Sequence, residues 1–292
     1  MRTFSRWVAL AVLVGGPAAY ADRNDIELTR LGAPGTQVRP GADTNSDFRA
    51  FARTLGAVMT ATNLTPPETL GHAGFAVGME LGVVGLPQDS DVFLPTRDPQ
   101  QGSVLVPSIH VRKGLPFSID LGARVGWLDR SSLFAATGEI KWAVNEGFIA
   151  WLPDIGLRAH VTQLLNTRNF HLTATGLDVG VGKQFPLGGM VTLTPYGGID
   201  FVGVAARSEL LGFQPVDGSS GPTVLSTYKA VSGWENINSR FYAGGRFIGG
   251  ALQLGAEVSL SNQGFIPTNV GANENRALPA VLAFSATLGL DF

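Results

Sequence analysis

LAFSATLGLDF, residues Leu282 to Phe292, decides how the rest of the chain is read. Leu282, Phe284, Ala286, Leu288, Leu290 and Phe292 fall on one side of an extended strand, and Ala283, Ser285, Thr287, Gly289 and Asp291 on the other. Side chains alternate across a strand, so the segment has one face of large apolar groups and one of small or polar groups. What the apolar face meets depends on how often the pattern recurs.

It recurs along most of the chain. Phe75, Val77, Met79, Leu81 and Val83 alternate with Ala76, Gly78, Glu80 and Gly82, and Phe117 to Trp127 and Phe134 to Trp142 alternate in the same way. Further segments lie at 105–112, 155–162, 170–183, 190–204, 240–247 and 252–258; Pro107 should make the first of these the least regular, because proline removes a ladder donor. With the terminal strand the count is ten, an even number, or twelve if Val224 to Val231 adds a hairpin. The connections at 112–116, 183–189 and 249–250 are short (144–154 is longer), and Gly249-Gly250 reads as a hairpin turn. Those at 85–102, 205–239 and 261–279 are long and alternate with the short ones. Phe117, Trp127, Phe134, Trp142, Phe241 and Phe292 fall near expected strand ends.

Composition fits strands that face lipid. The chain is 45% hydrophobic, with mean hydropathy +0.18, yet past residue 21 no apolar run approaches a helical span. The 38 glycines suit a narrow barrel, where small inward residues relieve crowding. A net charge of −2 offers no basic surface for nucleic acid. The chain has no cysteine, which excludes disulfides, thiolate metal sites and a lipoprotein signal.

The start of the chain agrees. Arg2 and Arg6, the apolar Trp7 to Gly15 and the small-x-small Ala19-Tyr20-Ala21 read as a secretory signal peptide over 1–21, cleaved after Ala21. Its apolar run is far shorter than the roughly 20 residues of a spanning helix. Residues 22–70 are expected as a periplasmic lead. Within it an amphipathic helix runs from Asp47 to about Thr62, with Phe48, Phe51, Leu55 and Val58 at helical spacing. Asn45 or Ser46 would cap it, and Thr65-Pro66-Pro67 would end it. That helix is expected to plug the barrel or lie on its rim.

In pattern, 71–292 resembles a bacterial outer-membrane β-barrel, and the terminal strand resembles the closing strand of that class. The resemblance implies an all-β fold: an antiparallel transmembrane barrel of about ten strands, preceded by the short helix, in a Gram-negative outer membrane. It implies that Phe284, Leu288, Leu290 and Phe292 form the insertion signal read by the barrel-assembly machinery, and that outer-membrane lipid surrounds the wall. Segments of KGLP and TPYGG type look like those of porin-like barrels. A helix before a barrel also looks like hydrophobic-compound transporters, but the strand count and the charged lumen depart from them. A soluble β-sandwich, the other home for alternating strands, does not account for the signal peptide or the terminal phenylalanine.

The inward faces carry Glu80, Asp120, Arg124, Glu139, Lys141, Arg158, His160, Asp178, Asp200, Arg246 and Glu257, with His110 beside them. Asp120 is expected at the depth of Lys141, Arg124 near Glu139, and Glu139 near Arg158. Such charges either pair and fill the lumen or line a hydrated path that tunes solute passage. No nucleophile–base pair is defensible: His160 has no serine at matching height, and Ser108 and His110 merely share a strand face. No HxxxH or calcium loop is present, so no catalytic residue, metal or cofactor is expected. Passive passage of an unknown small solute is the first expectation. A structural or surface-binding barrel with a filled lumen is the second, and a lipid-modifying enzyme the third.

Overall fold

Ten strands run in sequence order around a closed antiparallel wall. The computed structural model describes residues 22–38, 41–60, 62–86, 94–98, 102–145, 152–189, 191–213, 223–270 and 274–292. The expected signal peptide lies outside them. The barrel strands are β1 (Phe75–Gly85), β2 (Ser103–Leu115), β3 (Ile119–Trp127), β4 (Phe134–Ala143), β5 (Asp154–Leu165), β6 (Phe170–Gly182), β7 (Val191–Ser208), β8 (Ile237–Gly249), β9 (Leu252–Asn262) and β10 (Val281–Asp291). The terminal strand closes the ring, with Leu288 opposite Met79 on β1 and Leu254 on β9. A closed ladder pairs every wall strand on both sides, as a hydrocarbon environment demands.

The alternation read from the sequence becomes an apolar outer belt around an interior that is polar in its turn-rim half. Met79 is 63% exposed and its neighbour Glu80 only 7%. The inverse of a soluble sheet, this arrangement suits a wall that faces lipid. No helix among the described residues is long and apolar enough to cross a membrane, which says nothing of the strands.

The two rims differ. At the turn rim, β2 and β3 are joined by 116–118 and β8 and β9 by Gly250 and Ala251, with Gly250 at φ +61°. The tight hairpin thus falls one residue later than the Gly249-Gly250 reading. At the loop rim lie the described parts of the connections 86–102, 209–236 and 263–280. Val224–Ser226 pairs with Leu211–Phe213 in a small ribbon above the wall, so the wall keeps ten strands and not twelve.

Two aromatic expectations need correction. Phe117 does not begin β3; it sits in the turn at φ 67° and is 88% exposed. Phe241 lies in the body of β8, opposite Ile199 and Leu260, and not at a strand end. Trp127 faces Phe134 across the loop-rim end of β3 and β4, and Trp142 faces Ile119 at the turn rim.

The helix α1 (Thr44–Met59) lies inside the barrel, in the half next to the loop rim. It starts before the expected Asp47 and stops short of Thr62. The cap is Asp43, whose carboxylate accepts the Ser46 N–H at 2.8 Å, and not Asn45 or Ser46. Inward residues in this half of the wall are apolar, among them Val84, Val104, Leu164, Leu172, Val202 and Val204. They receive Phe48, Phe51 and Leu55, all 0% exposed. Phe51 meets Phe170 edge-on at 5.4 Å, and Phe48 stacks on Tyr228 at 4.9 Å. Gly56 sets how close the helix lies, since a Cβ there would come within 2.7 Å of Val204.

Candidate functional site

The interior has two layers, and the sequence course explains both. Below the helix, residues 62–70 run through the lumen to the start of β1 at the turn rim. Arg124 donates to the Thr62 carbonyl at 2.6 Å, and Glu257 accepts the Leu64 N–H at 2.9 Å. Lys141 donates to the carbonyls of Pro66 (3.0 Å) and Glu68 (2.8 Å), and Asp120 accepts the Leu70 N–H at 3.1 Å. An extended chain with no sheet partner needs its backbone groups satisfied by side chains, and the charged inner wall supplies them.

The same charges pair with one another. Arg124 binds Glu80 at 2.8 Å, and His110 bridges Glu80 and Glu139 at 3.0 Å to each. Arg158 reaches Glu139 (2.9 Å), Asp178 (3.1 Å) and Asp200 (3.9 Å). Asp200 is also held by His160 at 3.1 Å and Arg240 at 3.7 Å, and Tyr242 donates to Asp178 at 2.6 Å. Lys141 and Asp120 face each other at 3.5 Å, and Arg246 pairs with Glu68. Buried charges are tolerable only when paired and hydrogen-bonded, and here a network of both signs meets that demand.

All eleven lumen-facing candidates point inward and are buried, and Phe48, Phe51, Leu55 and Val58 are buried in the helix. The neighbouring-strand pairs Asp120 with Lys141 and Glu139 with Arg158 form. Arg124 does not pair with Glu139 but with Glu80, reaching past β2. His110, named with the inward faces, joins the network. Arg240, Tyr242 and Glu68 are further members that the sequence did not single out. The first two lie at inward parity and were findable; Glu68 is in the lead, where no strand phase applies.

Inward glycines make room for these side chains. A Cβ on Gly176 would fall 2.1 Å from His160 Nε2 and 2.9 Å from Asp200, whereas one on Gly138, exposed on the outer face, meets nothing within 4 Å. Gly176→Ala is therefore expected to lower stability by about 1–3 kcal/mol through overpacking. Gly138→Ala should leave urea unfolding of the detergent-refolded protein nearly unchanged. Equal midpoints for the two variants would contradict this.

At the loop rim, residues 22–38 form a cap. Asn24 hydrogen-bonds the Arg130 and Asp129 carbonyls at 2.9 and 2.6 Å, and Glu27 that of Pro95 at 2.8 Å. Tyr228 donates to the Leu28 carbonyl at 3.1 Å, and Leu28 and Leu31 are buried. Burial alone would raise the Asp25 pKa. Hydrogen bonds from Ser132 and Asp22 outweigh it and hold the carboxyl below its ordinary value.

Little space is left. A cavity of about 40 Å³ lies between Thr60, Thr62, Glu80, Ser108 and Arg124, and one of about 10 Å³ between Leu64, Glu80, His110 and Gln253. These are volumes for water. Among the described residues no group of three or more His, Asp or Glu could hold a metal ion.

No protein-family model matches the chain, and no curated protein matches it in sequence. Similar solved structures include Neisserial surface protein A, at 12% identity over 74% of this chain and 95% of that one, with TM-score 0.29. The Ail protein of Yersinia pestis is 8% identical over 76% and 99%, with TM-score 0.27. The β domain of the Bordetella autotransporter BrkA is 14% identical over 75% and 100%, with TM-score 0.36. The closed antiparallel ten-stranded barrel rests on this chain's own strand ladder.

Proposed function

We propose that this protein is a sealed barrel of the bacterial outer membrane that presents a fixed binding surface to the outside. The turn rim then lies in the periplasm. The cell-surface face is built from residues 22–38 and the described parts of the long connections. The course of the lead carries this reading: residues 22–70 begin at the loop rim, fill the lumen and leave at the turn rim. Passage of small solutes, the first expectation, would require the helix to leave its seat. Phe48, Phe51 and Leu55 resist that, since burying each such side chain is worth roughly 1.5–3 kcal/mol.

On this reading cleavage after Ala21 frees an end that assembly carries to the surface. The assembly machinery reads Phe284, Leu288, Leu290 and Phe292, and outer-membrane lipid surrounds the belt. The work of the protein is binding, with no catalytic step and no cofactor.

The absence of cysteine allows a clean test. Gln37→Cys should react with a membrane-impermeant maleimide on intact cells, and Phe117→Cys only after the outer membrane is opened. The full chain refolded in a planar bilayer should show no steady conductance. Protection of Gln37→Cys with labelling of Phe117→Cys would reverse the orientation, and steady conductance would restore passive transport.

A further inference from the structure

We propose that the outer wall carries a binding site for the anionic phosphate of a membrane-lipid headgroup, just beneath the loop rim across β5, β6 and β7. This goes beyond the surface-binding reading, because the ligand lies beside the barrel in the membrane plane. A groove of about 320 Å³ is lined there by Gln163, His171, Thr173, Ala205 and Arg207, within the range of sites for small ligands. These residues share the parity of the lipid-facing Val161, Leu177 and Phe201, so the groove opens outward. On β6 and β7 the outward face turns from Leu177 and Phe201 to His171, Thr173 and Arg207, while Leu165 beside it on β5 is still apolar and 47% exposed; the groove thus stands at the edge of the belt, beside the headgroups.

Its chemistry selects an anion. His171 and Arg207 are direct cross-strand partners, as are Thr173 and Ala205, and Gln163 and Thr173. Two nitrogen-bearing side chains opposed in this way gain from an anion between them. The nearby Glu209 carboxylate turns to His171, at 3.3 Å. Arg207 has no ion pair or side-chain hydrogen bond among the described residues. Thr173 donates to Gln163, which leaves polar groups of both kinds along the floor.

The wall is shaped to leave the space open. Ladder pairing of β7 with the segment before β8 continues at Ala206 and Val231, and between them 232–236 bulges outward. Gly233 of the bulge lies against the outward face of Ala205, the Cβ of which is 3.8 Å from where a Gly233 Cβ would stand. Trp234 projects from the bulge, 91% exposed, and an indole at this height is favoured among headgroups.

The test uses the full mature protein in phosphatidylcholine bicelles. These carry either diphosphorylated lipid A or the same lipid stripped of phosphate, and bound lipid is counted by native mass spectrometry. Wild type should retain the phosphorylated lipid preferentially. Arg207→Ala should weaken retention by roughly ten- to hundredfold, the scale of a lost charge-assisted contact. Arg130→Ala, in the neighbouring β3–β4 loop and outside the groove, should not. A heat-dependent gel shift identical to wild type shows that each variant is folded. Equal retention by Arg207→Ala, or of the dephosphorylated lipid, would overturn the site. Displacement of lipid A by inorganic phosphate at matched concentration would overturn the lipid assignment and leave a site for a soluble anion.

Discussion

Arg158→Met is expected to destabilise the folded barrel by about 3–5 kcal/mol, the cost of leaving buried charges without their partner. Arg158 is the hub of the lower lumen: its guanidinium, 2% exposed, lies within 3.9 Å of Glu139, Asp178 and Asp200. Asp178 and Asp200 are direct cross-strand partners, a like-charge pairing that the arginine makes tolerable. Without it Glu139 keeps His110, and Asp200 keeps His160 and Arg240. Asp178 keeps only the Tyr242 hydroxyl among the contacts seen here, and so bears most of the loss. Adding Asp178→Asn to Arg158→Met should therefore recover a large part of the stability, and a double-mutant cycle by urea unfolding in detergent would measure it. If Arg158→Met unfolds at the wild-type urea concentration, the network does not hold the barrel and the lower lumen is hydrated.

The wall was legible because its signal is local. A strand with one face in lipid must alternate, so the phase of Leu282 to Phe292 and its counterparts assigns each side chain to one face. Register follows from hairpins, which made Asp120 opposite Lys141 readable. The Arg124–Glu80 contact was not, because it spans β2 and depends on the reach of a long side chain across a closed curve. Phe117 misled because its apolar character fits a strand, whereas the turn between β2 and β3 claims it. The seat of the helix in the loop-rim half of the lumen was not read from the sequence, although a signal for it existed. Val84, Val104, Leu164, Leu172, Val202 and Val204 are apolar at inward positions, all in the loop-rim halves of their strands. A wall apolar on both faces over half its height must enclose something apolar. The only unpartnered apolar surface in the sequence was the helix with Phe48, Phe51, Leu55 and Val58.

That complementarity gives the second large effect. Phe51→Ala should lower stability by about 3–5 kcal/mol, since a fully buried aromatic leaves both lost transfer energy and a cavity. Phe51 is 0% exposed and stands edge-on to Phe170. Its surroundings are ill placed to collapse, because Phe170, Leu172 and Val204 belong to a closed wall that cannot move inward strand by strand. Met79→Ala on the outer face, where the side chain is 63% exposed, offers the contrast of a truncation that leaves no cavity. Its unfolding midpoint should stay much nearer to that of wild type. The two expected functions diverge in the Phe51 variant. If the helix is a fixed core, Phe51→Ala unfolds earlier in urea and remains non-conducting while folded. If it is a movable plug, loosening its seat raises the open population, and conductance appears before any loss of fold. Steady conductance from folded Phe51→Ala would return this barrel to the transport reading. Its absence, together with the stability loss, would make the helix part of the wall's own core.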